Sequence, residues 1–279
     1  MRKRILTSLL TASAYALALA LALAACGPKS GPAASLPPSG GASSCLSPSG
    51  SIPPQPASPA SPQDLGADAA KAYRKALEDI YNDHIYPNGD PVELLPGGQM
   101  EENHFALFDV DGDGETELLY QNDDGPMASM TINIYSFDKD AGTLYLELSG
   151  FVGMTFFDSG VVRVMASHNH GLSGRDDFWP FALYQYDSGS DGYLMVGSVD
   201  AWDKEDFPED WDGSPFPDEA DQDGDSMIYL LTLGGQEVTT TTLDGPEYEN
   251  WLKDYTAGAA ELDIPWQAMT LENIQAVAP

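Results

Sequence analysis

The sequence predicts an α+β fold of mainly antiparallel β-hairpins, arranged as a propeller-like or curved sheet and flanked by N- and C-terminal helices. Two observations lead to this prediction. Between about residues 104 and 243, apolar and polar residues tend to alternate, and turns rich in Asp and Gly separate the runs. On both sides of this region the apolar residues recur at spacings of three and four, as they do on one face of a helix.

The first helix is expected to begin near Asp68, since an acidic residue favours a helix N-terminus, and to end before the Pro-Asn-Gly sequence at 87–89. Its apolar face is formed by Ala70, Tyr73, Leu77, Ile80 and Tyr81.

Strands are expected at residues 131–137, 143–148, 161–165, 182–186 and 193–199. The polar turns at 138–142 and 187–192 join two pairs of them into hairpins. Ile134–Asp138 and Leu183–Asp187 form a weak repeat, with a spacing near that of a propeller blade or of a repeated hairpin. The alternative is that antiparallel hairpins simply look alike.

Two helices are expected after the strands. Pro246 suits a first helical turn, and Gly258 can end the helix. The residues that share its apolar face are Tyr248, Trp251, Leu252 and Tyr255. Thr270 is expected to cap a last short helix that extends to Val277.

The charge excludes one class of partner. Twelve Lys and Arg stand against 44 Asp and Glu, which gives a net charge of −32. Phosphate binding needs a basic surface, so nucleic acid is not an expected partner. With 42% apolar and 10% aromatic residues, the chain can still bury a core.

The N-terminus has the pattern of an export signal over residues 1–25. Three basic residues, 2–4, precede an apolar run from Ile5 to Ala25, for which a transmembrane helix is the alternative. The sequence Leu-Ala-Ala-Cys at 23–26 resembles the lipobox of bacterial lipoproteins. This resemblance implies that Cys26 carries acyl chains such as palmitate, and that the protein is anchored at the extracytoplasmic face of the cell membrane.

Residues 26–66 are expected to be the lipidated cysteine and a linker, because residues 27–66 hold 10 of the 21 prolines, with mostly Gly, Ala and Ser between them. Cys45 is a lone thiol in this linker. Residues 67–279 are expected to form a β-rich extracytoplasmic domain that holds nearly all of the acidic residues.

The most informative segment is Asp109–Glu117. Carboxylates stand at its positions 1, 3, 5 and 9, in Asp109, Asp111, Asp113 and Glu117. Gly114 at position 6 permits a sharp turn, and Ca²⁺ requires six to eight oxygen ligands. An EF-hand needs a bidentate Glu at position 12, where this chain has Tyr120.

The segment is similar to the DxDxDGxxD/E loops of FG-GAP and VCBS-type β-repeats, in which Ca²⁺ lies between two strands. The resemblance covers about 16 residues and departs at position 9, where Glu replaces the more usual Asp. It implies side-chain ligands from Asp109, Asp111, Asp113 and Glu117, a backbone ligand from Glu115, and a structural role for the ion. The alternative is an Asp/Gly turn that holds no metal.

A second acidic segment runs from Asp200 to Asp225. Asp221, Asp223 and Asp225 repeat the first three ligand positions, so a second calcium site and a solvated acidic loop both remain open. Aromatic residues at 202, 207, 211 and 216 are expected to attach this segment to the body or to form a face that stacks on sugars.

No motif identifies an enzyme: the chain has no GxSxG, HExxH or P-loop sequence. His168 and His170 stand two residues apart and can share a zinc ion if they lie on a strand. The region from 167 to 203 resembles uncharacterised surface lipoproteins of Gram-positive bacteria. We therefore expect a surface module that binds a protein or glycan. The alternative is a hydrolase of glycans or cell-wall polymer, centred on the two histidines.

Overall fold

In a computed structural model of the protein, residues 65–167, 171–174, 178–234 and 239–277 are described. The predicted signal peptide and nearly all of the predicted linker, including Cys26 and Cys45, lie outside these residues, as do His168 and His170. Among the described residues, no helix is long and apolar enough to cross a membrane.

Three helices flank and cover a body of eleven strands in the described part of the chain. The helices are α1 (Ala67–Asp83), α2 (Gly245–Thr256) and α3 (Leu271–Ala276). The strands are β1 (His104–Phe108), β2 (Glu117–Gln121), β3 (Thr131–Asp138), β4 (Thr143–Phe151), β5 (Met154–Phe156), β6 (Val161–Met165), β7 (Phe181–Asp187), β8 (Gly192–Asp203), β9 (Met227–Leu233), β10 (Thr239–Leu243) and β11 (Gln267–Ala268). The predicted α+β class is confirmed.

The strands form two antiparallel sheets. The first has the order β11-β1-β2-β3-β4, and the second has the order β10-β9-β8-β7-β6-β5. Most neighbours in each sheet are consecutive in the chain, so short hairpins account for most of the pairing. The sequence left a propeller-like and a curved-sheet arrangement open, and the structure has these two multi-stranded sheets.

The sheets and helices pack as four layers. The inner faces of the two sheets share one apolar cluster, to which Ile134 and Leu119 contribute from the first sheet and Val162 and Val164 from the second. The outer face of the first sheet packs against α1 and α3. The outer face of the second sheet packs against α2. Each sheet therefore has apolar packing against both of its faces.

The helix α1 follows its predicted amphipathic pattern. Its buried residues are Ala70, Tyr73, Ala76, Leu77 and Ile80, whereas Tyr81 is only partly buried. The helix ends at Asp83, and the next residue, His84, has a φ of 55° in the left-handed conformation, three residues before Pro87. The two C-terminal helices also form where predicted, and the Thr270 side chain accepts a hydrogen bond from the Asn273 N–H at 3.2 Å.

The sequence repeat corresponds to a repeated bulged hairpin, with one copy in each sheet. β3–β4 and β7–β8 each contain one register shift. At these shifts, Glu147 in β4 and Val196 in β8 have no opposite residue on the neighbouring strand. The number of residues between them equals the number between the two matching sequence segments. Because a bulge redirects the side chains beside it, it accounts for an acidic residue turning inward at Glu147.

Candidate metal centre

The loop of residues 109–116 joins β1 to β2 and folds back on itself. Gly112 and Gly114 both have positive φ values, 80° and 93°, which side chains with a Cβ rarely adopt. The Asp109 Oδ1 atom accepts a hydrogen bond from the Gly112 N–H at 2.9 Å, and the Asp111 Oδ1 atom accepts one from the Asp113 N–H at 3.0 Å. Such side-chain contacts with the backbone replace the ladder bonds that a tight loop cannot make.

Three carboxylates meet inside this loop. Asp109, Asp111 and Glu117 each offer one oxygen atom, and these atoms all lie within 4.8 Å of one another. Glu117 is 1% exposed and Asp111 is 8% exposed. Groups of this kind can hold a metal ion, and carboxylate oxygens suit a hard cation.

The two other predicted ligands have different partners. The Asp113 side chain, which is not part of the three-residue group, accepts from the Glu115 N–H at 2.7 Å and from the Tyr186 hydroxyl at 3.3 Å. The Glu115 side chain forms an ion pair with Lys139 at 2.6 Å. The backbone carbonyl of Glu115 was the predicted ligand, and that role stays a prediction.

The electrostatics of the group favour a bound cation. Burial raises the pKa of Asp111 to about 8 and that of Glu117 to about 10, and repulsion between neighbouring carboxylates adds to both. Burial also raises the pKa of Asp109. Among the described residues, no Lys or Arg forms an ion pair with any of the three. A cation among these oxygens would supply the missing positive charge, so the donor set fits a metal ion.

The loop is held from two sides. The Tyr73 hydroxyl on α1 donates a hydrogen bond to the Thr116 carbonyl at 2.7 Å. On the other side lies Gly160, in the turn between β5 and β6, where an added Cβ would be 3.0 Å from the Asp111 carbonyl oxygen. The loop therefore lies directly against both α1 and the second sheet.

Beside the loop lies a concave region that we name the tyrosine cleft. It consists of two adjoining cavities of about 540 and 800 Å³ that share Glu115, Phe137, Lys139, Tyr145 and Asp191 in their linings. Tyr145 and Tyr186 donate hydrogen bonds to the two oxygens of Asp191, at 2.6 and 2.7 Å. The Tyr145–Asp191 contact thus joins the first hairpin of the repeat to the turn of the second.

Two carboxyls of the cleft have opposite pKa shifts. Burial raises the pKa of Glu147 to about 7, whereas the hydroxyls of Tyr145 and Tyr186 lower that of Asp191. The Ser136 hydroxyl donates to Glu147 Oε1. Glu147 Oε2 is buried with no hydrogen-bond partner among the described residues, and the same holds for the Tyr193 hydroxyl.

The second acidic segment contains a looser group. Carboxylate oxygens of Asp221, Asp223 and Asp225 lie within 4.8 Å of one another, but Asp223 and Asp225 are exposed. Whether this group binds calcium stays a prediction.

The aromatic residues of this segment mainly attach it to the body. Trp202 and Phe216 are buried in edge-to-face contact at 5.4 Å, and the Trp202 indole donates to the Phe207 carbonyl at 2.6 Å. Trp211 remains 74% exposed.

When the chain is compared with protein-family models, with curated proteins and with solved structures, none of the three comparisons finds a match.

Proposed function

We propose that this protein is a lipid-anchored extracytoplasmic module whose β-rich body is stabilised by Ca²⁺ in the β1–β2 loop, and that the body binds a ligand at the cell surface. The observation that supports calcium most directly is the convergence of Asp109, Asp111 and Glu117 within 4.8 Å, at a buried position without an ion-paired Lys or Arg in the described chain.

The donor set favours calcium over softer metals. All three side chains are carboxylates, and neither His nor Cys belongs to the group. Ca²⁺ also accepts backbone carbonyls and water, so the Glu115 carbonyl and solvent can complete its coordination. The ion is structural in this proposal because the loop contacts α1 and the second sheet, so that filling the site stabilises both contacts.

Isothermal titration calorimetry tests the calcium proposal. We expect the protein to bind Ca²⁺, and Asp111→Asn to weaken that binding at least tenfold. The matched control is Asp223→Asn in the second acidic group, which should leave the tighter binding event unchanged. An equal loss of calcium binding in both variants, or calcium binding that persists in Asp111→Asn, would show that the ion does not bind in the β1–β2 loop.

Two cysteines allow a matched test of the anchor. In a bacterial host that processes lipoproteins, Cys26→Ala should abolish incorporation of labelled palmitate and release the protein from the membrane fraction. Cys45→Ala should change neither, because this cysteine lies in the predicted linker. Palmitate labelling that survives Cys26→Ala would rule out the lipobox interpretation.

A surface hydrolase is the second candidate, and Glu147 and Asp191 support it within the described residues, whereas its predicted centre, His168 and His170, lies outside them. Glycoside hydrolysis uses one carboxyl as an acid and another as a base or nucleophile, and a raised and a lowered pKa in one cleft suit these roles.

Hydrolysis of peptidoglycan or of aryl glycosides provides the test. Glu147→Gln should abolish any turnover, while Asp187→Asn, at the other end of the β7–β8 turn that carries Asp191, should preserve it. Turnover that survives Glu147→Gln, or no turnover in the wild type, removes this candidate.

A further inference from the structure

A smaller cavity on the first sheet has a different chemistry from the tyrosine cleft. We name it the asparagine pocket, and its volume is about 330 Å³. It lies near the end of the sheet remote from the metal loop, because Asn122 follows the last residue of β2 whereas Glu117 begins that strand. Tyr135, which packs in the same cluster as α1, lines it, so it opens on the α1 side of the sheet.

One residue that lines the pocket, Asn122, has a buried hydrogen-bond acceptor without a partner in the described chain. Asn122 is fully buried, and its Nδ2 atom donates to the carbonyls of Glu93 at 3.0 Å and Ser129 at 3.2 Å. Since carbonyls only accept, the orientation of the amide is determined. Its Oδ1 atom then has no hydrogen-bond partner among the described residues. Burying an amide oxygen without a donor is unfavourable, so a donor from a bound molecule would stabilise this side chain.

A second amide in the pocket has an under-used donor. Asn133 Oδ1 accepts from the Ser149 hydroxyl at 2.6 Å, whereas its Nδ2 atom lies 3.4 Å from Thr131 Oγ1 and near the Tyr86 hydroxyl. The pocket therefore offers a free acceptor from Asn122 and a weakly engaged donor from Asn133. A ligand that both donates and accepts hydrogen bonds matches this pair.

An aromatic ring forms one wall. Tyr86 lines the pocket and makes an edge-to-face contact with Tyr120 at 5.7 Å, which holds its ring in place. Burial raises the pKa of Tyr86, and hydrogen bonds with the side chains of Thr131, Asn122 and Asn133 oppose this rise, so the Tyr86 hydroxyl lies beside both amides. A fixed ring beside amide groups provides an apolar surface and polar contacts together.

The charges of the lining narrow the ligand class further. Neither Lys nor Arg is among the residues that line the pocket, and Asp90 and Glu93 contribute two carboxylates. An anion would be repelled, and a purely apolar ligand would leave the amides unpaired. Asp90 already accepts from Asn88, and Glu93 from Ser129, so both carboxylates are partly engaged within the protein.

We propose that the asparagine pocket binds one ring of a neutral saccharide, whose hydroxyls pair with Asn122 and Asn133 while its C–H face lies against Tyr86. The volume is at the lower end of ligand pockets and suits a single ring. This inference deepens the proposed binding module by giving it a ligand class, at a site separate from the metal loop.

Nuclear magnetic resonance of the full chain tests the proposal with glucose, galactose and N-acetylglucosamine as probes. We expect the side-chain amide resonances of Asn122 and Asn133 to shift and to saturate at millimolar concentrations of at least one sugar. Glucose 6-phosphate should bind at least tenfold more weakly than glucose if glucose is that sugar. Amide resonances that do not move with any neutral sugar would overturn the proposal, as would equal binding of the phosphorylated form.

Variants provide a second readout. Asn133→Ala and Tyr86→Leu should each weaken sugar binding at least tenfold, whereas Asn82→Ala, on the exposed side of α1, should not change it. Because the resonance mapping uses the wild-type protein, the proposal remains testable if a variant does not fold. Sugar binding should persist in Asp111→Asn, so loss of the calcium site and loss of the sugar site are distinguishable. Binding that is equal in Asn133→Ala and the wild type would contradict the assignment.

Discussion

Glu117 begins β2 with its carboxylate buried, and one of its oxygens accepts a hydrogen bond from the Val110 N–H at 2.9 Å. A single backbone donor does not offset the cost of burying this charge beside Asp111. Without a cation, the fold must keep Glu117 protonated at neutral pH or distort around it. A calcium ion bound by this carboxylate would remove the conflict, so Glu117 would lower stability without the ion and raise it with the ion.

Glu117→Gln is therefore expected to change stability with opposite signs in chelator and in calcium. In chelator, the free energy of unfolding of the variant should be about 1–3 kcal/mol higher than that of the wild type. Glutamine is neutral in both states, so folding of the variant does not require the uptake of a proton. In calcium it should be less stable than the wild type, since a ligand charge is lost. Urea unfolding in both conditions measures this.

Glu115→Gln is the matched control, because its side chain is exposed and pairs only with Lys139 in the described chain. It should change stability by less than about 1 kcal/mol in either condition. A Glu117→Gln variant that is destabilised in chelator would contradict the electrostatic account.

The raised pKa of Glu147 predicts that the stability of the protein depends on pH. Its pKa is about 7 in the folded protein and near 4.5 in the unfolded chain. The folded state therefore holds a proton that the unfolded state releases, and stability falls as the pH rises from about 4.5 to about 7. This rise in pKa corresponds to a change of at most ~3 kcal/mol in the free energy of unfolding, and solvent screening reduces that change to about 1–2 kcal/mol.

Glu147→Gln should flatten this part of the profile, as measured by urea unfolding at several pH values in constant calcium. Glu219→Gln, at an exposed loop position, should leave the profile unchanged. An unaltered pH profile in Glu147→Gln would show that this carboxyl does not titrate in the predicted window.

Individual residues also show which parts of the site can be predicted from the sequence. Asp109, Asp111 and Glu117 were predicted because a single loop supplies them at a recognisable spacing. Glu147 and Asp191 were missed because they come together only through pairing of distant hairpins, as the Tyr145–Asp191 contact across 46 residues shows. The only local signal was the repeat, which places both turns at equivalent positions.

At the scale of elements, the strands next to the polar turns with Asp and Gly at 138–142 and 187–192 were predicted, whereas β9 and β10 were not. β3, β4, β6, β7 and β8 were found with end shifts of a few residues. β9 has a nearly continuous apolar sequence because both faces of the second sheet are covered, and β10 consists of four threonines and a leucine. β8 runs four residues past its predicted end to Asp203, which is buried although it is acidic.

The contact between the metal loop and the second sheet predicts coupling between these elements. Gly160→Ala adds a Cβ at a φ of 72° and 3.0 Å from the Asp111 carbonyl, so it should destabilise the fold by about 1–2 kcal/mol and weaken calcium binding. Thermal unfolding and calorimetric titration measure the two effects.

Gly89→Ala separates backbone strain from contact with the loop. Its φ of 88° is similar, but no atom lies within 4 Å of the added Cβ. This variant should lose stability by a comparable amount and keep its calcium affinity. Equal calcium binding in Gly160→Ala and the wild type would show that the second sheet does not position the loop.

At the scale of the whole molecule, the negative charge of the chain is concentrated in the body. Residues 67–279 hold 43 of the 44 acidic residues and only 8 basic residues, and an excess of negative charge destabilises a compact state through self-repulsion. Most carboxylates can reduce this cost by facing solvent. The buried group at Asp109–Glu117 cannot, because the four-layer packing places it between α1 and the second sheet.

Thermal unfolding of the wild type and of Asp111→Ala, in calcium and in chelator, tests this account most directly. At a calcium concentration of 100 times Kd, the wild-type midpoint should rise by about 5–10 °C relative to chelator. Asp111→Ala should melt at the same temperature in both conditions. A wild-type protein that melts at the same temperature with calcium and with chelator would contradict the claim that a cation in the β1–β2 loop stabilises the fold.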